Sequence, residues 1–353
     1  MSKEKLSRQD AQERQCFQSP DSGIADRDTM KKTGIQSTDY RIADKDAKNF
    51  SCIPSSDIRL ADRDASKEAS TELNVPSAAK NSSQDVALKM SKRLITVADM
   101  LGEVKGERSS KSACSTEDPL CSYRCVADVG CDHGYVSIYL VQKKMAASCL
   151  AMDVRKGPLG MAEKNIEEYR LSDKIKVRLS DGLSGLAPGE ADALVIAGMG
   201  GKLMISILDK MDLSLLGIKT MVLQPQSDLE EFRRYILDAG FAVEDERIIC
   251  DEGKYYFPMR VSVYPSDTSG NDALSLLSDR IPKDRALCLH FRYGASNILR
   301  QDRTFISYLL HGREVTTSIL KTLNPNSHPD RYLQLKEELE DINYLLSGFE
   351  NGL

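Results

Sequence analysis

Five short stretches of this chain end an apolar run in residues that can bind or react. The first, RCVADVGCDHGY from residue 124, closes on Asp128, Gly130, Asp132, His133 and Gly134. The second, SCLAMDV, ends on Asp153, and the third, IKVRLSDG, on Asp181 and Gly182. A fourth, ADALVIAGMGG, runs into Gly198, Met199, Gly200 and Gly201, and a fifth, IKTMVLQPQ, into Gln224, Pro225 and Gln226. Carboxylates at such ends repel phosphate and suit a ligand that is cationic or carries hydroxyls. The first stretch also reads G-x-x-x-G rather than the G-x-G-x-x-G that lets backbone approach a pyrophosphate, which disfavours a dinucleotide.

Asp153 stands where a carboxylate can accept hydrogen bonds from both hydroxyls of a ribose. Asp181 is placed to take one from an exocyclic amine, and AGMGG brings bare backbone to a ligand before opening a helix. A ribose, an adenine and a positive charge without phosphate together describe S-adenosylmethionine. Each stretch alone also has a plainer reading: a strand-end Asp caps a helix or makes a turn, a glycine pair turns the chain, and His133 is a structural donor. Four such ends in sequence favour one shared pocket.

The elements that must position these residues follow from the hydrophobic pattern. The five apolar runs predict buried parallel strands, with crossover helices over 135–144, 157–169, 202–210 and 228–239. Two further runs, FAVEDERIICDEG and KYYFPMRVSVYP, join through Glu252-Gly253 and predict an antiparallel pair at the sheet edge. Ahead of them, LKMSKRLITVADML places Leu94, Val97, Ala98 and Leu101 on one helical face. This order describes a doubly wound α/β domain over 88–265, in which ligands sit beyond the carboxyl ends of the strands. Over 266–353, Tyr332, Leu335, Leu339, Ile342, Leu346 and Phe349 recur three and four apart. They predict an antiparallel coiled-coil hairpin, joined to the preceding helix through NPNSHPD.

Residues 1–87 read differently. SPDSGIADRD, STDYRIADKD and SSDIRLADRD recur every 18 residues, with too little apolar surface to offset the cost of ordering the chain. A disordered N-terminal extension is expected. The chain as a whole has 353 residues, 41% hydrophobic and 29% charged, with a net charge of −5 that argues against indiscriminate polyanion binding. Its nine cysteines show no paired C-x-x-C spacing, so reduced thiols and no metal are expected. With no apolar run of transmembrane length and no signal-peptide core, the expectation is a cytoplasmic protein without a membrane partner. Nothing in the sequence indicates an oligomeric state.

The stretches MSKRL, VADVGCDHGYVSIYL, KIKVRLSDGL, ADALVIAGMGG and VLQP resemble, in this order, the bacterial tRNA (adenine-22-N1)-methyltransferase family, also called TrmK. The resemblance covers about residues 88–265. It implies a class I (Rossmann-like) methyltransferase domain with a C-terminal helical coiled-coil domain, using S-adenosylmethionine to methylate N1 of an adenine in the tRNA D-arm. By motif, it implies that Asp128, Gly130, Asp132, His133 and Gly134 line the cofactor's amino-acid end. Asp153 then takes its ribose, Asp181 and Gly182 its adenine, and Gly198, Met199, Gly200 and Gly201 form the catalytic face. Members of the family usually read Gln-Pro-Asn where this chain has Gln224-Pro225-Gln226.

Adenine N1 carries an in-plane lone pair and no proton, so position and electrostatics rather than an obligatory base govern its methylation. Asp132 could stabilise the cationic product, while Gln224 and Gln226 could read the Watson–Crick edge of a base turned out of its stack. RNA phosphates call for a basic rim, for which the candidates are Lys89, Lys92, Arg93, Lys202, Arg233, Arg234, Arg292, Arg300, Arg303 and Arg313. Two other readings fit the same residues. One is a class I methyltransferase acting on another RNA or on a protein; the other is a catalytically weak S-adenosylmethionine-binding interaction protein.

Overall fold

The computed structural model describes residues 85–102, 121–264, 273–350 and 353. Residues 1–84 of the repeat-bearing extension and the polar stretch over 103–120 lie outside the described residues. A short 3₁₀ turn, Val86–Lys89, leads into helix α1, Lys92–Gly102. Five strands and their helices follow, with no helix between the third and fourth strands: β1 Tyr123–Val129, α2 Tyr135–Gln142, β2 Ala146–Asp153, α3 Lys156–Glu168, β3 Ile175–Leu179, β4 Ala193–Met199, α4 Gly201–Leu208, the single turn α5 Leu213–Leu216, β5 Thr220–Pro225 and α6 Leu229–Asp238. The sequence places each strand within three residues of its observed start.

With two later strands, β6 Ala242–Glu246 and β9 Met259–Ser262, these form one seven-stranded sheet in the order β3-β2-β1-β4-β5-β9-β6. The first five strands are parallel and β9 runs antiparallel between β5 and β6. Side chains alternate across the sheet with period two. On β4, Ala193 and Val195 enter a core shared with α1, α2 and α3, while Leu194 and Ile196 enter one shared with α4 and α6. Both faces are therefore covered, which is why these strands read as near-continuous apolar runs. The chain leaves β1 in one direction through β2 and β3 and returns to its other side at β4. That reversal opens a crevice at the strand tips.

The expected edge hairpin is more divided than its sequence suggests. Each run breaks in two, giving β6 and β9 in the main sheet and a separate hairpin of β7 Ile249–Asp251 with β8 Lys254–Tyr256. Pro258 has no N–H for the ladder, and Ile248 and Phe257 turn out of the sheet into a third core. Glu252-Gly253, both at positive φ, close the small hairpin.

That third core belongs to the helices that follow: α7 Ala273–Ser278, α8 Lys283–Tyr293, α9 Ala295–Arg300, α10 Arg303–Thr322 and α11 Pro329–Glu350. The last two pack as the expected antiparallel pair, with Leu335, Ile342 and Leu345 buried on α11. Arg233 fastens this region to the sheet. It is fully buried on α6, and its Nη2 lies 2.6 Å from Glu246 Oε1 on β6. Its Nη1 donates to the carbonyls of Phe291 and Arg292 on α8. Arg233 is thus a structural cation and does not belong to a basic rim. The same correction applies to Arg292, paired with Asp341, and to Arg300, paired with Asp245; Arg303 and Arg313 are exposed. Of the cysteines, Cys125, Cys131, Cys149 and Cys288 are free thiols, whereas Cys250 is disulfide-bonded, contrary to the expectation of reduced thiols throughout.

Replacing Arg233 with Met leaves Glu246 buried without its counter-charge and is expected to cost about 3–5 kcal/mol of stability. Urea denaturation measures this, and the double variant R233M/E246L is expected to regain most of the loss.

Candidate active site

The register of the parallel strands brings the polar ends together. Val129 lies beside Met152 on β2 and beside Ile196 on β4, Asp153 lies beside Leu179 on β3, and Met199 lies beside Pro225 on β5. The ends of all five strands therefore share one edge, with neighbouring strands about 4.8 Å apart. Asp128, Asp153 and Asp181 fall along that edge in the order β1, β2, β3. The backbone N–H of Ser180 donates to the Asp153 carbonyl at 2.9 Å, tying the third end to the second.

The three carboxylates differ in setting. Asp128 is buried on the α2 side, where Ser137 Oγ donates to it at 2.7 Å. Burial, reinforced by the charge of Asp153, pushes the Asp128 carboxyl up to about 6. Asp153 is also buried, and its Oδ1 accepts the Arg155 N–H at 2.8 Å. Asp181 is exposed and pairs with Lys210 Nζ at 3.3 Å. Asp132 and His133 are solvent-facing neighbours with Oδ2 and Nε2 3.6 Å apart, and His133 stacks on Tyr135.

Two glycines leave room that other residues would fill. Gly130 has φ +76°, and both its N–H and that of Cys131 donate to the Met152 carbonyl. A Cβ at 130 would collide with Met199 Cε, so the β1 loop and the AGMGG turn pack directly on each other. Gly198 has φ +81° and makes a bulge in the β4–β5 ladder. Gly134 closes the first loop against Ala162, Gly182 rests on Ile207, and Gly200 abuts Ser227 Oγ. Burial and the carboxylates of Asp128, Asp153 and Asp132 push the Cys131 thiol well up, which keeps it protonated and a poor metal ligand. Among the described residues no group of three His, Cys, Asp or Glu side chains is placed to hold a metal.

On the β4–β5 side, Gln226 is exposed, while Gln224 and Pro225 are buried. Gln224 therefore does not present its amide to a base as the sequence suggested; its Oε1 accepts from Arg93 Nη1 at 2.8 Å. Helix α1 is held in place at both ends. Asp251 Oδ2 accepts the Arg93 N–H at its start, and Arg260 donates to the Met100 and Leu101 carbonyls at its end. Of the other expected basic residues, Lys92 is exposed on the first turn of α1, and Lys202 is half exposed near Asp228 and Glu231. Sequence reading missed Tyr256, whose ring lies 5.3 Å from the Arg93 guanidinium, and Asp251. The Glu252-Gly253 turn between them was the available signal.

Residues 119–259 match a family described as a methyltransferase domain. A Bacillus subtilis (strain 168) protein named tRNA (adenine(22)-N(1))-methyltransferase is 34% identical over 171 residues, covering 48% of this chain and 63% of the relative. That match spans less than two thirds of the relative's length. The solved B. subtilis M1A22 tRNA methyltransferase TrmK is 26% identical with a TM-score of 0.57, over 73% of this chain and 99% of that one. In sequence and in fold the chain is similar to TrmK proteins. Streptococcus pneumoniae Sp1610, solved in complex with S-adenosyl-L-methionine, is 25% identical with a TM-score of 0.55, over 73% of this chain and 99% of that one. Four of the stretches quoted from the sequence contain all or part of β1, β3, β4 and β5, with their polar ends along the carboxyl edge, while MSKRL opens α1.

Asp128 is easier to bury protonated than ionised, so its contribution to stability is fullest below the ordinary carboxylate value and is lost as pH rises through about 6. The variant D128N can still accept the Ser137 hydrogen bond and has no such loss. Its stability relative to the unmodified protein is expected to rise by on the order of 2–3 kcal/mol between pH 4 and 7. Denaturant midpoints across that range measure it, and a flat difference contradicts the assignment.

Proposed function

We propose that this chain is an S-adenosylmethionine-dependent methyltransferase that modifies N1 of an adenine in the D-arm of tRNA, at position 22. The observation that carries this reading is the contiguity of two walls. The acidic ends of β1, β2 and β3 adjoin a second wall of Gly198, Gln226 and Arg93 at β4 and β5. The relatives' names give the reading its substrate. A tRNA substrate also favours a cytoplasmic setting. Among the described residues no helix is long and apolar enough to cross a membrane.

The residues fit the cofactor. Asp153, buried at the tip of β2, holds the ribose hydroxyls, and Asp181 with Gly182 receives the adenine. Gly130, Gly134, Asp132 and His133 surround the amino-acid end, with Asp128 beneath them supplying negative charge. When bound, S-adenosylmethionine supplies a methyl group activated by a sulfonium. Gly198, Met199 and Gly200 form the turn that faces the reacting centre, where bare backbone lets the target base approach. Gln226 reads the base edge. The step consumes the N1 lone pair: an N1–CH₃ bond forms as the S–CH₃ bond breaks, the bonding pair stays on sulfur, and the positive charge passes to the base. No proton moves in that step, so the chain's work is alignment and charge placement. Asp132, exposed at the loop, offsets the charge arriving on adenine. Lys92, Arg93 and Lys202 hold RNA phosphates around the mouth.

Incubation with labelled S-adenosylmethionine and unmodified total tRNA, followed by nucleoside mapping, is expected to yield N1-methyladenosine and a primer-extension stop at a D-arm adenine. Label in another RNA or in protein would instead support the broader methyltransferase reading, and cofactor binding without transfer would support an interaction protein. D153A is expected to weaken cofactor binding roughly 10- to 100-fold through lost charge-assisted hydrogen bonds, with tRNA affinity retained. Unchanged cofactor affinity in that variant contradicts the role given to Asp153.

A further inference from the structure

Gln224 is fully buried at the tip of β5, and its carboxamide is engaged at both ends. Oε1 accepts from Arg93 Nη1 at 2.8 Å, and Nε2 donates to the Pro225 carbonyl at 3.0 Å. Chemistry fixes which amide atom is which, because a guanidinium only donates and a carbonyl only accepts. Buried and held in this way, the side chain cannot turn out towards a base. What it does is orient Arg93.

The Arg93 guanidinium is constrained from further sides. The Tyr256 ring backs it at 5.3 Å, and the N–H of the same residue is anchored on Asp251 Oδ2 at 3.0 Å. The hairpin carrying Tyr256 and Asp251 is itself seated on α10, where the Tyr255 and Ser307 hydroxyls lie 3.1 Å apart and the Tyr255 ring packs edge-on against Tyr308. In front of the guanidinium is Gly198. A Cβ there would lie 3.5 Å from Arg93 Nη1 and 3.8 Å from Gln226 Nε2. Arg93 Nη1 and Gln226 Nε2 thus both lie close to the bare backbone of Gly198.

The charge flow of the reaction decides what Arg93 should touch. Methyl transfer moves a unit positive charge onto the adenine ring, and a guanidinium held against that ring would oppose it. A phosphate is the partner that a fixed, planar cation favours. We propose that Gln224 is a positioning residue that, with Tyr256 behind, fixes the Arg93 guanidinium as a clamp for the phosphate of the target nucleotide, leaving base reading to Gln226. The proposal rests on the tRNA-methylation reading above and adds a division of labour within the Gln-Pro-Gln segment.

The test is a double-mutant cycle on the full chain with Q224M, R93A and Q224M/R93A, after the unmodified protein has been shown to form N1-methyladenosine in tRNA. Cofactor affinity, measured in the same preparations, reports that each variant is folded. Each single variant is expected to raise KM for tRNA about tenfold with kcat within twofold. R93A is expected to reduce the slope of log affinity against log salt by about one. The double variant is expected to be no worse than R93A alone, because Gln224 acts through Arg93. A fall in kcat at unchanged KM in Q224M, an unchanged salt slope in R93A, or full additivity of the two substitutions overturns the proposal. An unmodified protein that methylates no tRNA overturns the functional reading first and this inference with it.

Discussion

The structure depends on the in-register arrest of five parallel strands. Because β3, β2, β1, β4 and β5 stop along one edge, residues up to about a hundred positions apart in sequence meet there without any loop having to fold over them. Two packed cores, one on each face of the sheet, enforce that arrest, since a slip of one residue would exchange the faces of every strand side chain. The edge accumulates negative charge on β1 to β3 and amide and guanidinium donors at β5. Such an edge suits a ligand that is cationic and hydroxyl-bearing at one end and presents an acceptor at the other.

Holding carboxylates at this edge has a cost that falls unevenly. Burial is what chiefly makes the ionisation of Asp128 harder, and the charge of Asp153 adds to it. Asp181, out in solvent and paired with Lys210, is the adjustable member. The same logic governs the α6 junction, where Glu246 is tolerated in the interior because Arg233 lies 2.6 Å away and also binds two carbonyls of the helical region.

Much of this was legible in the chain. Buried parallel strands are apolar runs closed by turn residues, so β1 to β5 and the carboxylates at their ends could be read locally. The edge hairpin was not, because its division depends on Ile248 and Phe257 finding partners in helices that come later in sequence. Arg233 reads like a surface cation next to Arg234, and only the fold brings Glu246 and α8 to it. Gln224 reads like a base-recognising amide, yet the residue that engages it, Arg93, is 131 positions earlier. In each case the local pattern gave the chemistry of the side chain correctly and left its partner unknown.

Acidic strand tips that hold a nucleoside-bearing cation should reject a diphosphate. Isothermal titration of the full chain with S-adenosylmethionine and, separately, with NAD tests it most directly. Saturable binding of S-adenosylmethionine at one site per chain and no measurable heat with NAD are expected. Comparable binding of NAD, or none of S-adenosylmethionine, would contradict it.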